Sequence, residues 1–200
     1  MKYSAQMKLV GSMLNFLLRK DLPSKDVRKK ILSEYEKILT RASDIGGTNR
    51  LLSSYLLGAY FIAMNRETQK TPEENIGVLE KRLRDSRLFK MMMGNGKSYF
   101  SEKNMESRRK WSEETKDPAH QKQYPNDWEV EVIEGDGSFQ FGFDYLQCGV
   151  CKLCRDEGCP ELAKYLCSLV YMLVELIGIH LDRTKVLAEG GDCCDFRFRE

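Results

Sequence analysis

The hydrophobic period of the chain changes once. As far as Phe89 apolar residues recur every three or four positions, whereas from Trp128 onward they alternate with polar ones. A period near 3.6 builds helices with one buried stripe, and a period of two builds strands with one buried face. The expected class is therefore α+β, with a helical N-terminal region packed on a C-terminal antiparallel sheet. Two hundred residues suffice for one domain with a sizeable core. Within it we expect a helical region at 1–90, a connector or lid at 91–125 and an α+β region at 126–200.

The helical part is punctuated by its capping residues. Ser24 suits an N-cap, and Val27, Ile31, Tyr35, Ile38 and Ala42 then mark one face of a helix over 24–42. After Gly46-Gly47, the stretch LLSSYLLGAYFIAM at 51–64 has no polar face, which predicts a helix covered on most sides at the centre of the region. It is too short to span a bilayer, which takes about 20 apolar residues. Thr71, Pro72 and Glu74 fit a capping box for a further helix running to about Phe89. Residues 91–125 turn polar, with a short helix expected around 102–114.

The second part reads as strands first. WEVEVIEG and SFQFGFDY alternate on either side of a GDG turn and predict an antiparallel hairpin. Helices are expected at 145–157 and 160–177, split by Gly158 with Pro160 at a helix start, followed by a closing hairpin around Gly190-Gly191. The order is ββααββ.

Charge excludes some functions. A formal net charge of +2, with acidic residues interleaved among the basic ones of EKRLRDSRLFK and ESRRKW, gives no footprint for nucleic acid. The first twenty residues have no small-residue cleavage site after a short apolar run, so no signal peptide and no membrane partner are expected. Seven cysteines in such a chain imply a reducing, cytoplasmic setting in which they are thiols, metal ligands or catalytic groups.

Four of those cysteines fall in CGVCKLCRDEGCP at 148–160. The run C-x2-C-x2-C-x4-C-P departs by one residue from a ferredoxin signature, and no second run accompanies it. Nor does it resemble two separated zinc knuckles. No metal, cluster or other cofactor is expected, and small buried hydrophobes are the bland alternative to reactive thiols.

HQKQYPNDW, GFDY-x2-CGVCK, GCPEL-x5-C and RTKVLAEGGDCCDFRF together closely resemble the L-2-amino-thiazoline-4-carboxylic acid hydrolase family over about residues 119–200. The resemblance implies a cytoplasmic, bacterial-type hydrolase that opens 2-amino-thiazoline-4-carboxylate, a cyclic amidine, at a ring C–N or C–S bond to give a carbamoyl-cysteine on a route to cysteine. Cys148, Cys167, Arg183, Thr184, Asp192, Cys194, Asp195 and Phe196 stand where the family's motif has them. Two positions depart from the family pattern, Gln147 and Val170, where carboxylates would stand.

Opening such a ring needs a nucleophile, donors for charge developing on nitrogen and a cation for the substrate carboxylate. Cys167 and Cys194 are the leading thiol candidates, with Cys148 beside them, and Asp195 is the carboxylate candidate for activating water, ahead of Asp192 and Asp144. Arg183 suits the substrate carboxylate, and Tyr145 and His120 are further substrate-binding candidates. The second histidine, His180, reads as structural. The partner is then a small-molecule substrate, and the sequence leaves the oligomeric state open. Two other functions compete: a non-catalytic binding or sensor module, and a thiol-based redox or metal protein.

Overall fold

A computed structural model describes residues 4–47, 49–94 and 96–200. Helix α1 (Ala5–Leu17) and α2 (Lys25–Arg41) pack on α3 (Leu52–Glu67), followed by α4 (Pro72–Asp85). The first three residues of the N-terminal stretch lie outside the described residues. Ser24 accepts from the Val27 N–H at 3.1 Å, and Thr71 and Glu74 close the capping box. Tyr55, Leu56, Ala59, Tyr60, Phe61, Ile62, Ala63 and Met64 of α3 are all fully buried, as a helix without a polar face requires.

Helix α4 stops before Phe89. Ser86 breaks it and caps α5 (Arg87–Met93) by accepting from the Phe89 N–H. The 91–125 segment, expected as a polar connector, is largely helical: α6 (Gly96–Tyr99), α7 (Glu102–Lys116) and α8 (Pro118–Gln123). The polar composition hid a thin buried stripe of Met105, Arg108, Trp111, Ser112 and Thr115. Two of these do work that apolar residues cannot. Ser112 donates to the Val130 carbonyl at 2.8 Å, and Thr115 accepts from the Val130 N–H at 3.2 Å. The hydroxyls thus satisfy backbone groups along the outer edge of the sheet, which would otherwise stand open to pairing.

That sheet holds β1 (Glu129–Glu134), β2 (Phe141–Gln147), β3 (His180–Asp182) and β4 (Cys194–Arg199) in the order β1-β2-β4-β3, all antiparallel. Between β2 and β3 lie α9 (Gly149–Asp156) and α10 (Ala163–Leu176), so the order ββααββ holds and the fold is α+β. Phe141, Phe143 and Tyr145 pair with Phe198, Phe196 and Cys194 and share one face of the sheet. Strand β2 runs on to Gln147, so the helix expected from 145 begins only at Gly149.

Glu157, just past α9, ties the two regions together. Its buried side chain takes Arg41 Nε at 2.7 Å and Arg66 Nη1 at 2.8 Å, fixing the end of α9 to α2 and α3. No helix among the described residues is long and apolar enough to cross a membrane.

Candidate functional site

A cavity of about 370 Å³ lies where α3, α10 and the inner face of the sheet meet. Its walls are mostly apolar, with Leu57 from α3, Leu169 and Val170 from α10, and Phe196 from β4. Into this lining the fold brings Tyr145, Cys148, Cys167, Arg183 and Cys194, from five different elements or their ends. Five of the nine candidate residues named from sequence therefore share one space.

Cys148 sits at the junction of β2 and α9 as the N-cap of the helix. The thiol of Cys151 hydrogen-bonds it and holds its pKa down to about 7, against the cost of burial, helped by the N–H groups of Cys151 and Val150 and by the Trp128 indole. A helix N-terminus is a site that favours the thiolate. Cys151 itself is driven the other way by its interaction with Cys148, then by that with Cys167 and by burial. Burial pushes Cys194 up to about 12, with the Leu187 N–H donating to its sulfur at 3.2 Å. Burial likewise raises the Tyr145 phenol.

The geometry around Cys148 explains the HQKQYPNDW motif. Asp127 accepts from Asn49 at 2.6 Å and from the Trp128 N–H at 2.7 Å, and it pairs with His120 Nε2 at 2.7 Å. Gln121 donates to the Thr115 and Trp128 carbonyls, and Asn126 to Asp156. These bonds fold the loop that lays Trp128 on the start of α9. There is no room at Gly149 for a side chain: a Cβ would lie 2.6 Å from the Asn126 carbonyl oxygen and 2.7 Å from the Trp128 ring.

Arg183 follows β3, and its guanidinium lies over the Phe196 and Tyr171 rings at 5.2 and 4.8 Å. Nη2 donates to the Cys167 carbonyl at 3.3 Å, while Nε and Nη1 are buried with no hydrogen-bond partner among the described residues. Buried donors are nearly always paired, so two unpaired guanidinium nitrogens beside a cavity single out Arg183 as a candidate anion-binding group.

Four of the sequence candidates stand elsewhere. Asp195 does not line the cavity; being next to Cys194 on a strand, it faces the other side of the sheet. It accepts from Thr184 N–H at 2.8 Å, Thr184 Oγ1 at 2.6 Å and Lys185 N–H at 2.5 Å, which pins the loop carrying Arg183. His120 lines a separate polar cleft of about 360 Å³ with Arg50, Lys110 and Asp127. Asp144 pairs with Arg197 at 2.7 Å on the outer face, and Asp192 with Lys185 at the surface.

Of the two departures from the family pattern, Val170 lines the cavity, and Gln147 donates to Glu129 on the neighbouring strand. Among the described residues no three His, Cys, Asp or Glu side chains are arranged to hold a metal ion. Cys151 and Trp128 escaped sequence reasoning as partners of Cys148. The alternation of SFQFGFDYLQ up to Gln147 was the signal that Cys148 would stand at a helix start.

An α+β fold enclosing an apolar cavity lined by thiols and by one only partly paired guanidinium has the build of a small-molecule site. The model of the L-2-amino-thiazoline-4-carboxylic acid hydrolase family matches residues 49–198, and the chain belongs to that family. The matched stretch takes in α3 and α7 as well as the motif-bearing half, and every cavity residue named above lies within it. No curated protein and no solved structure matches the chain.

Proposed function

We propose that the protein is a thiol-dependent hydrolase that opens a small cyclic amidine carrying a carboxylate, with 2-amino-thiazoline-4-carboxylate as the first substrate to test. The reading is carried by one coincidence: the thiol of Cys148, at a helix N-cap position, and the only partly paired guanidinium of Arg183 line the same cavity. Arg183 takes the carboxylate through two parallel N–H···O bonds, for which its fork is shaped. Cys148 then attacks the ring carbon between sulfur and nitrogen.

The thiolate adds to the carbon, the ring C–S bond breaks, and the substrate sulfur takes up a proton, leaving an isothiourea on Cys148. Water adds to the same carbon and Cys148 departs, giving the carbamoyl-cysteine. The sum is one water added and one C–S bond broken. The Val150 and Cys151 N–H groups stabilise the Cys148 sulfur as a thiolate leaving group. Cys194, held as a thiol, serves the cavity wall and not the attack. Asp195 acts on Arg183 only through the loop it pins.

Mass-spectrometric monitoring of the amidine with reduced protein tests the reading. Ring opening by the natural protein, its loss in Cys148→Ser and its survival in Cys167→Ser are expected. Full turnover by folded Cys148→Ser would end the proposal. Val170 favours a second reading, in which the same cavity binds a metabolite without turnover, since the family pattern has an aspartate there. Saturable binding without ring opening, and turnover gained in Val170→Asp, would select it.

A further inference from the structure

We propose that Cys148 and Cys151 are a redox-active pair, in which a hydroperoxide reaching the cavity oxidises Cys148 and Cys151 closes a disulfide across the first turn of α9. This goes beyond hydrolysis and does not depend on it. The two residues occupy C-x-x-C positions with Cys148 at the N-cap of α9, and the Cys151 thiol acts directly on that of Cys148. Cys148 lines the cavity, so a small oxidant has a path to it. Residues three apart at a helix start have Cβ atoms about 5–6 Å apart. A disulfide needs them closer, at about 3.5–4.5 Å. The adjustment falls on Cys148, which lies outside the helix with extended backbone (φ −123°, ψ 119°) and is not held by intrahelical geometry.

The chemistry balances with the peroxide as oxidant. The Cys148 thiolate attacks one peroxide oxygen, the O–O bond breaks, and an alkoxide or hydroxide leaves and is protonated, giving Cys148 sulfenic acid. Cys151 then attacks that sulfur, its proton leaves with the hydroxyl as water, and the S–S bond forms. Two thiols are oxidised and one peroxide is reduced. Burial and its two sulfur neighbours hold Cys151 as a thiol in the resting state, so it resolves the sulfenic acid without competing for the oxidant. Cys167 is the alternative resolving thiol, since it also bonds Cys151. A second contact, between Cys154 and Cys159, is the rival first target because Arg66 and the Cys154 thiol lower the pKa of Cys159.

The tryptic map of the full chain separates these cases. Peptide 123–152 holds Cys148 and Cys151 and no other cysteine, while Cys159 falls in peptide 156–164 and Cys167 in 165–183. Reduced protein is treated with one equivalent of hydrogen peroxide, alkylated and digested. We expect peptide 123–152 to become two hydrogens lighter and unreactive to alkylation before any other cysteine peptide changes, with dithiothreitol restoring both thiols. Cys151→Ala should instead leave a sulfenic acid on Cys148 that dimedone captures. Consumption of Cys159 first, a cross-link between 123–152 and 165–183, Cys148 sulfinic acid without pairing, or no reaction in the natural protein would each overturn the proposal, whether or not the variant folds.

Discussion

Replacing Arg183 by methionine should move stability and substrate binding in opposite directions. In the resting protein the guanidinium makes one long hydrogen bond, to the Cys167 carbonyl at 3.3 Å, and leaves two buried N–H groups unpaired among the described residues. An unsatisfied buried donor costs about 1–3 kcal/mol, so relieving two gains about 2–6 kcal/mol. Against this stand the lost hydrogen bond, about 1 kcal/mol, and the contacts with Tyr171 and Phe196, about 1–2 kcal/mol. Methionine keeps an apolar stem of similar reach. The balance centres on a stabilisation of about 1–2 kcal/mol, or a Tm raised by about 2–8 °C for a chain of this length. Binding goes the other way. A carboxylate that loses charge-assisted bonds worth about 3 kcal/mol should raise KM about 100-fold, with kcat less affected because the carboxylate is held equally in ground and transition states. Calorimetry and steady-state ring opening measure the two effects. An analogue without the carboxylate supplies the control, since its turnover should not respond to the substitution. A fall in Tm of more than about 4 °C with KM unchanged would show that Arg183 is a structural cation and that the anion-site argument is wrong.

Gly149→Ala should cost about 1–3 kcal/mol, because its Cβ collides with the Asn126 carbonyl and the Trp128 ring; an unchanged denaturation midpoint would disprove that close packing. With the Cys148 thiolate as nucleophile, kcat/KM should rise with pH through about 7 and then level off, and a profile flat from pH 5 to 9 would remove the thiolate from the mechanism. Burial raises Glu157, but hydrogen bonds from Arg41 and Arg66 more than reverse this and hold it below its ordinary 4.5. Its stabilising contribution is therefore present above that value and is lost as pH falls through the lower folded one, so Glu157→Gln should be less stable at neutral pH and show a flatter acid limb in thermal melts.

The boundaries that capping chemistry fixes were plain in the sequence: Ser24 and Thr71 announced helices with local bonds that need no tertiary help. The buried nature of α3 was equally plain from its lack of a polar face. What composition concealed was α7, whose inward residues include Ser112 and Thr115 because their neighbour is a strand edge and not an apolar surface. The site was half legible. Motif positions named Cys148, Cys167, Arg183 and Cys194, which the fold gathers, but simple alternation should have warned that adjacent Cys194 and Asp195 cannot face the same space. His120 is separated for a different reason: its bond to Asp127 belongs to the folding of the loop, and only the three-dimensional path of 120–128 reveals on which side of Trp128 it falls.

Strand β4 lies between β2 and β3, although it comes last of the four in the chain. The hairpin of β1 and β2 can form from neighbouring sequence, but Phe141 must find Phe198 across more than fifty residues, and β3 has no strand to pair with until β4 arrives. Contacts of such separation pay loop-closure entropy before they return any stabilisation, so they form late and slowly. Tyr145 and Cys194, which face each other across that seam, are thus among the last wall residues to meet. During synthesis the thiols of α9 and α10 emerge before the strand that encloses them, which makes the interval before β4 docks the period in which the nascent chain is most exposed to aggregation.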